Sequence, residues 1–276
     1  IQNQESRIQN PMTDLNYLKR KNPHQRDQDT YLDEATHIYN INGETDYTSM
    51  TTFIHSLFEK FDPDQIIDNM MRSKNWSQNK YYGMTPEEIK SLWDANTLQA
   101  TTSGTQMHYN IECFYNTEPE KQQQTNTSNE FKYFLNFHND VVLQQGLEPY
   151  RTEWIVHARD ISIAGSIDMV FKRPTTTDKE TLDIYDWKRC REIKQTSGFN
   201  KWSIDKTIDH IPDTNYWHYS LQLNGYRYIL EKYYNKRVEN LYLVCLHPDN
   251  KNKNYMLIRV PDLQHEIHEL FSKRKT

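Results

Sequence analysis

The chain has no run approaching the roughly 18 apolar residues of a membrane span, and its start lacks the apolar stretch of a signal peptide. A soluble, unsecreted protein is expected. Only three cysteines occur, Cys113, Cys190 and Cys245, far apart and without a CxxC pair or a compact Cys/His array. Their scatter argues against a structural zinc site, and their odd number against a disulfide framework, so reduced structural thiols are expected. Positive charge is not in excess: 38 acidic residues face 33 basic ones, for a formal net charge of -5. A nucleic acid would therefore have to be met by a local basic groove, without global attraction. Glycine is scarce, while Asn, Gln, Lys and Tyr abound, a bias that fits an AT-rich coding genome. The hydrophobic share of 36% is low, but 13% aromatic residues, Tyr above all, can still fill a sizeable core. A length of 276 residues allows one large domain or two small ones.

Residues 1 to about 30 are polar without a sustained period and read as a tail or loosely attached arm. "HIYNINGETDYTSM" resembles a hairpin turning at Asn42-Gly43. Thr48 or Ser49 is placed to cap a helix whose apolar positions Phe53, Ile54, Leu57, Phe58 and Phe61 keep helical spacing. Pro63-Asp64 opens another helical stretch. Thr85-Pro86-Glu87-Glu88 opens a further one, with Thr as cap, Pro in the first turn and acids at the positive helix end. The spacing then predicts a separate helix from near Gly104 to Tyr115. A polar loop over Glu118 to Asn129 follows, then a helix from Glu130 to Gln145 ended by Gly146.

Beyond that point the pattern turns to strands. Tyr150 to Ala158, Ile161 to Arg173 and Thr181 to Lys188 read as a meander, with Arg159-Asp160 at one turn and "PTTTDKET" at the other. A long helix from Thr214 to Tyr234, strands at Val238 to Leu246 and Tyr255 to Val260, and a closing helix from Asp262 complete the order. This order predicts an α/β fold, a mixed central sheet flanked by helices and preceded by a mainly helical N-terminal half. There is no internal repeat and no linker between the halves. Residues 31-276 are therefore expected to form one domain, with a mainly helical part over 31-149 and a sheet-based part over 150-276.

Four pieces of this chain can carry chemistry. Asp168 lies in "AGSIDMVFKR", where an aspartate inside an apolar strand is costly unless hydrogen-bonded, paired or bound to a metal. Asp186-Trp187-Lys188 ends "DIYDWKR"; residues two apart on a strand point the same way, so Asp186 and Lys188 share a face. That pair is either a salt bridge closing a strand or a metal ligand beside a cation that can neutralise phosphate charge. His108 stands on a helix after Ser103-Gly104-Thr105. Gln222 and Tyr226, in "QLNGY", are spaced i, i+4 and project from one helix face. Each taken alone has an ordinary structural explanation, and Glu153 on the first meander strand is a further acid that can meet the site.

In this order the pieces resemble the PD-(D/E)xK nuclease superfamily and, within it, the RecB-type exonuclease branch. The resemblance spans roughly residues 100 to 260 and rests on His108 in "GTQMH", Glu153 in "TEW", Asp168 in "GSID", Asp186 and Lys188 in "DWK", and Gln222 with Tyr226 in "QLNGY". It implies a restriction-endonuclease-like core and metal ligation by His108, Asp168, Asp186 and the backbone carbonyl of Trp187. It also implies that Lys188 is the catalytic lysine, that Gln222 and Tyr226 support it or bind nucleic acid, and that Glu153 is an accessory acid. Some members hold an iron–sulfur cluster on four cysteines. Three scattered cysteines cannot supply that set, so the cluster-free members, the mitochondrial genome maintenance exonucleases and viral relatives, are the nearer comparison.

The resemblance implies a DNA nuclease using Mg²⁺ or Mn²⁺, an exonuclease on single-stranded ends in replication, repair or recombination. Its compartment would be intracellular and DNA-containing. Arg189, Arg191 and Lys194 could track the nucleic-acid backbone, with Lys201 and Lys206 further along. Trp202, Tyr216 and Trp217 are available for base stacking or for core packing. In this family the helical half can form a tunnel or arch that admits a free end. Two other readings stand beside it: an RNA endonuclease of the same superfamily, and a non-catalytic nucleic-acid-binding module. The Gln222–Tyr226 helix weighs against the first, and the complete set of acids and lysine weighs against the second.

Overall fold

The computed structural model describes residues 14-33, 35-117, 126-174, 180-198 and 200-275. Most of the polar loop expected over 118-129, and the middle of the turn at 174-181, lie outside the described residues. Among the described residues seven α-helices and eight strands are arranged around one mixed sheet, with a small two-stranded sheet at its side. The strands are β1 (Thr30–Asp33), β2 (Ile38–Ile41), β3 (Thr48–Ser49), β4 (Glu148–Ala158), β5 (Ile163–Lys172), β6 (Thr181–Lys188), β7 (Arg237–Cys245) and β8 (Met256–Arg259). In the main sheet β4, β5 and β6 form the expected antiparallel meander, β6 pairs parallel with β7, and β7 antiparallel with β8.

Helices cover both faces. On one side lie α2 (Met50–His55), α6 (Asn215–Tyr233) and α7 (Gln264–Ser272), whose Leu221, Ile229 and Phe271 pack against Val170, Ile184 and Leu243. On the other lie α4 (Pro86–Asn116) and α5 (Asn129–Phe137), whose Met107, Ile111, Phe134 and Phe137 pack against Met169, Tyr185, Trp187 and Val244. The period-2 alternation of β6 explains its place between them: Leu182 and Ile184 face one layer, Tyr185 and Trp187 the other. Among the described residues no helix is long and apolar enough to cross a membrane.

Three sequence expectations are corrected. The helix from Thr85 and the one expected from near Gly104 are one 31-residue helix, α4. Gly104 costs a helix roughly 1 kcal/mol relative to Ala, which the capping box of Thr85 and Glu88 and the packed C-terminal half outweigh. The Asn42-Gly43 turn does form, with both residues at positive φ and Ile41 bridged to Glu44, but the strand after it does not pair back onto β2. β2 pairs instead with β1, and Thr48–Ser49 joins β5 in parallel.

The polar stretch read as a tail does not hang free from Asp14 onward. There α1 (Tyr17–Lys21) buries Leu18, and Asp27 accepts hydrogen bonds from Arg151 Nη1 at 2.7 Å and Trp154 Nε1 at 2.9 Å. The anchor is a charge pair that a hydrophobic pattern does not reveal.

Candidate metal centre

The site forms where β5 and β6 part. Their pairing runs from Lys172↔Leu182 to Met169↔Tyr185 and stops there. On the same edge of β5, β3 pairs only with Ile163 and Ala164, so Gly165 to Asp168 lie between two partners. Asp168 closes the gap with its side chain: Oδ2 accepts the Trp187 N–H at 2.9 Å. A buried N–H with no ladder partner needs such an acceptor, and the aspartate supplies it.

On the other side of β5, Thr152 pairs with Met169 and Trp154 with Ile167, which sets Glu153 opposite Asp168. Glu153 is held at φ +42, a left-handed conformation unusual for a non-glycine residue inside a strand. Its Oε2 accepts from Ser166 Oγ at 2.9 Å.

α4 brings His108 to the same point. Its Nε2 lies 3.0 Å from the Trp187 carbonyl, and its Nδ1 lies 3.7 Å from Glu153 Oε1 and 3.6 Å from Asp168 Oδ2. With Nε2–H donating to that carbonyl, Nδ1 is the atom turned toward the two carboxylates. This is how a backbone acceptor orients a metal-ligating imidazole. One donor atom each from His108, Glu153 and Asp168 lies within 4.8 Å of the others. Two ligands at about 2.0–2.4 Å from one cation are at most about 4.8 Å apart, so the set fits a single hard ion.

Asp186 and Lys188 stand beside this group. Asp186 is 4% exposed and Lys188 17%, with Nζ 2.6 Å from Asp186 Oδ2. The ammonium sits directly against that oxygen, an ion pair that offsets part of the cost of burying both charges. The Lys188 ammonium also lies over the Tyr219 ring, 4.4 Å from its centroid.

The charges perturb one another. Burial pushes the Asp168 carboxyl up to about 7, with Asp186 and Glu153 adding to the rise and His108 and Lys188 opposing it. Burial alone would lower His108, but Asp168 and Glu153 outweigh it and raise the imidazole to about 9. Burial would likewise lower Lys188, yet Asp186, Asp168 and Tyr219 hold its ammonium above the ordinary lysine value.

Of the other expected site residues, Gln222 and Tyr226 meet on α6, Nε2 donating to the phenol oxygen at 3.2 Å. Tyr226 is buried against Gly165: a Cβ there would stand 2.6 Å from the ring. The glycine of "GSID" thus makes room for the tyrosine of "QLNGY". Asp186, expected as a metal ligand, stands outside the 4.8 Å group, and Glu153, expected as accessory, stands inside it. The Trp187 carbonyl is taken up by His108, with a second lone pair left over.

The basic residues separate. Arg189 is drawn inward to Glu130, Nε to Oε1 at 2.8 Å, while Arg191 and Lys194 stay exposed. Tyr216 is core, Trp217 packs against it and donates to the Gln195 carbonyl, and Trp202 is exposed. Sequence reasoning missed Tyr219, although its spacing of i, i+3, i+7 with Gln222 and Tyr226 puts all three on one helix face. It also missed that Cys190 and Cys245 meet, Sγ to Sγ at 3.8 Å, next to the strand end that carries Lys188.

No protein-family model matches the chain, and a comparison with curated proteins finds no match. Among solved structures, that of SSO0001 aligns over 84% of this chain and 75% of its own, at 12% identity and a TM-score of 0.34. A provisionally named exonuclease of Eubacterium rectale aligns over 82% and 78%, at 9% identity and a TM-score of 0.35. Likeness at this level carries no argument about activity.

Proposed function

We propose that the chain is a metal-dependent DNA nuclease that hydrolyses phosphodiester bonds, working as an exonuclease on single-stranded ends. The observation that carries this reading is the convergence of His108 Nδ1, Glu153 and Asp168 within 4.8 Å, next to a buried Asp186–Lys188 pair, at the point where β5 and β6 separate. Packing does not require it: three acids, a histidine and a lysine at one strand end cost stability unless the cluster binds something. An oxygen-rich set with one imidazole suits Mg²⁺ or Mn²⁺ better than a softer ion.

His108, Glu153 and Asp168 would hold the cation, with Asp186 and the free lone pair of the Trp187 carbonyl beside them. A bound divalent cation supplies positive charge that polarises a phosphoryl oxygen and makes a bound water more acidic. The chain's own residues supply the rest. Lys188, kept as an ammonium by Asp186, presents a fixed positive charge where negative charge develops on the phosphate. Tyr219 fixes its position from below by cation–π contact. The carboxylates accept protons from water and, with the strained Glu153, are held in place before substrate arrives. Gln222 and Tyr226 support this wall of the cleft.

The test is a substrate panel with Mg²⁺, Mn²⁺ or EDTA: linear and circular single-stranded DNA, duplex DNA, and RNA of the same sequence. Metal-dependent loss of linear single-stranded DNA, with the circle spared, is the expected result. Equal cutting of the circle contradicts the end-dependent reading. Cutting of RNA alone replaces the substrate class, and binding without cutting in any metal replaces the enzyme by a binding module.

A further inference from the structure

Two thiols 55 residues apart in sequence meet beside the site: Cys190 Sγ lies 3.8 Å from Cys245 Sγ. The strands bring them there. Lys188 is in register with Cys245 across the parallel β6–β7 pair, and the Leu246 N–H donates to the Lys188 carbonyl at 2.9 Å. Cys190 follows two residues later, and Cys245 Sγ also reaches its carbonyl at 2.9 Å. A disulfide bond is about 2.05 Å long, so joining the sulfurs needs them to close by roughly 1.8 Å.

The two partners are not held alike. Cys245 is fully buried at the last position of β7, and the buried Asn250 donates to its carbonyl from Nδ2 at 3.0 Å. Cys190 is half-buried, lies beyond the end of β6 and belongs to no strand or helix. An oxidant therefore reaches Cys190 first, and the movement that joins the sulfurs falls on its segment. The contact between the thiols holds Cys245 down, to about 6, and pushes Cys190 up, so the pair loses one proton near neutral pH and shares the other. A thiolate is what disulfide exchange needs. The charges of Lys188 and Asp186 act on Cys190, and both thiols act on the phenol of Tyr219, whose ring lies under Lys188.

We propose that Cys190 and Cys245 are a modification site, at which a small-molecule disulfide converts the two thiols to an internal disulfide that draws Lys188 out of place. Cys190 Sγ attacks one sulfur of the oxidant and breaks its S–S bond, so that one half leaves as a thiol and the other stays on Cys190 as a mixed disulfide. Cys245 Sγ then attacks Cys190 Sγ and expels the second half. The protein thiols give up two protons and two electrons, and the oxidant takes them up as two thiols. Because Cys245 is anchored, the pull passes back along the segment from Cys190 to Lys188, whose Nζ sits 2.6 Å from Asp186 Oδ2 in the reduced protein. A misplacement on the order of 1 Å costs a catalytic constellation about a hundredfold in rate. The effect on cleavage rests on the nuclease reading; the disulfide itself does not.

The experiment incubates the reduced full chain with oxidised glutathione in EDTA, then blocks the remaining thiols with a maleimide in denaturant and counts them by intact mass. Wild type, with three cysteines, should fall to one labelled thiol with no glutathione retained, and dithiothreitol should restore the lost pair. Cys113→Ser should fall to none, while Cys190→Ser and Cys245→Ser should form no internal disulfide. Three labelled thiols in treated wild type, or glutathione left attached to Cys190, overturns the proposal. Cleavage of linear single-stranded DNA in Mn²⁺ is then compared for reduced and oxidised Cys113→Ser. The oxidised form should cleave at least about tenfold more slowly and recover on reduction, and Cys190→Ser treated in the same way should keep its rate. Equal rates with the disulfide formed overturn the displacement of Lys188. A disulfide that forms in a protein that cleaves no nucleic acid in either state leaves the modification site in place and removes the nuclease reading instead.

Discussion

Replacing Asp168 by asparagine should stabilise the metal-free protein while removing its response to metal. The Asp168 carboxyl is held at about 7 against an ordinary value of 3.8, chiefly by burial and by Asp186. A carboxyl raised in this way opposes folding wherever it must ionise. The penalty is absent below pH 3.8, grows as pH rises toward 7 and is complete above it. At 1.36 kcal/mol per pH unit it amounts to at most about 4 kcal/mol at pH 8. Asparagine removes the charge and keeps an oxygen for the Trp187 N–H, which Asp168 Oδ2 now accepts at 2.9 Å. Loss of the attraction to His108 and Lys188 is already contained in the net shift. For a chain of this size each kcal/mol moves the midpoint by about 2–4 °C, so Asp168→Asn should melt higher than wild type in EDTA at pH 8, by at most about 8–16 °C. At pH 5 the advantage should shrink, because the wild-type carboxyl is then largely protonated in the folded state. In Mg²⁺ or Mn²⁺ at about one hundred times its dissociation constant, wild type should gain about 2.7 kcal/mol and the variant little. Thermal melts followed by circular dichroism read all three conditions. A variant that melts lower than wild type in EDTA, or responds equally to metal, would show the cluster to be a salt-bridge network that holds the fold.

Gly165→Ala should force Tyr226 aside, since the new Cβ would stand 2.6 Å from its ring. An overpacking cost of about 1–3 kcal/mol in urea unfolding is expected, with Gly165→Ala/Tyr226→Leu recovering part of it. His157 is buried beside Arg26, and desolvation with that guanidinium lowers its imidazole to about 4. A histidine lowered in this way costs nothing above pH 6.5 and destabilises as pH falls from 6.5 toward 4. Over that window wild type should therefore lose stability relative to His157→Gln, by at most about 3 kcal/mol in urea unfolding, while the Asp168 carboxyl shifts both proteins equally in the opposite direction. Asp27→Ala should leave the buried Arg151 guanidinium, now 2.7 Å from Asp27 Oδ2, without its partner, at a cost of about 3 kcal/mol or more in unfolding experiments. A cost below 1 kcal/mol would mean that the N-terminal segment is not part of the core.

Where side-chain periodicity and capping agreed, the elements were legible to within a residue or two. Thr181–Lys188 is the strand expected, and the helix expected over 214-234 runs Asn215–Tyr233 between Thr214 and Tyr234. The sequence alone divides α4 in two because "TTSGT" carries the residues that ordinarily punctuate a helix, and only the packing of Met107 and Ile111 shows that it continues. The site residues were legible as types in order, since a carboxylate or lysine in an apolar strand stands out locally. Their geometry was not. Whether Asp186 or Glu153 joins His108 and Asp168 depends on the left-handed backbone at Glu153 and on the ion pair that draws Asp186 to Lys188. Arg189 looked available because its partner, Glu130, is 59 residues away in sequence. Pairings at that range leave no local mark.

The most direct test of the central claim is a cleavage time course on single-stranded DNA labelled separately at each end, with wild type and Lys188→Met in Mn²⁺ and in EDTA. The account predicts short labelled products from wild type in Mn²⁺ alone. It predicts a rate at least about a hundredfold lower for the variant, because the buried cation beside the phosphate is gone. Undiminished cleavage by Lys188→Met, or equal cleavage by wild type in EDTA, would contradict it.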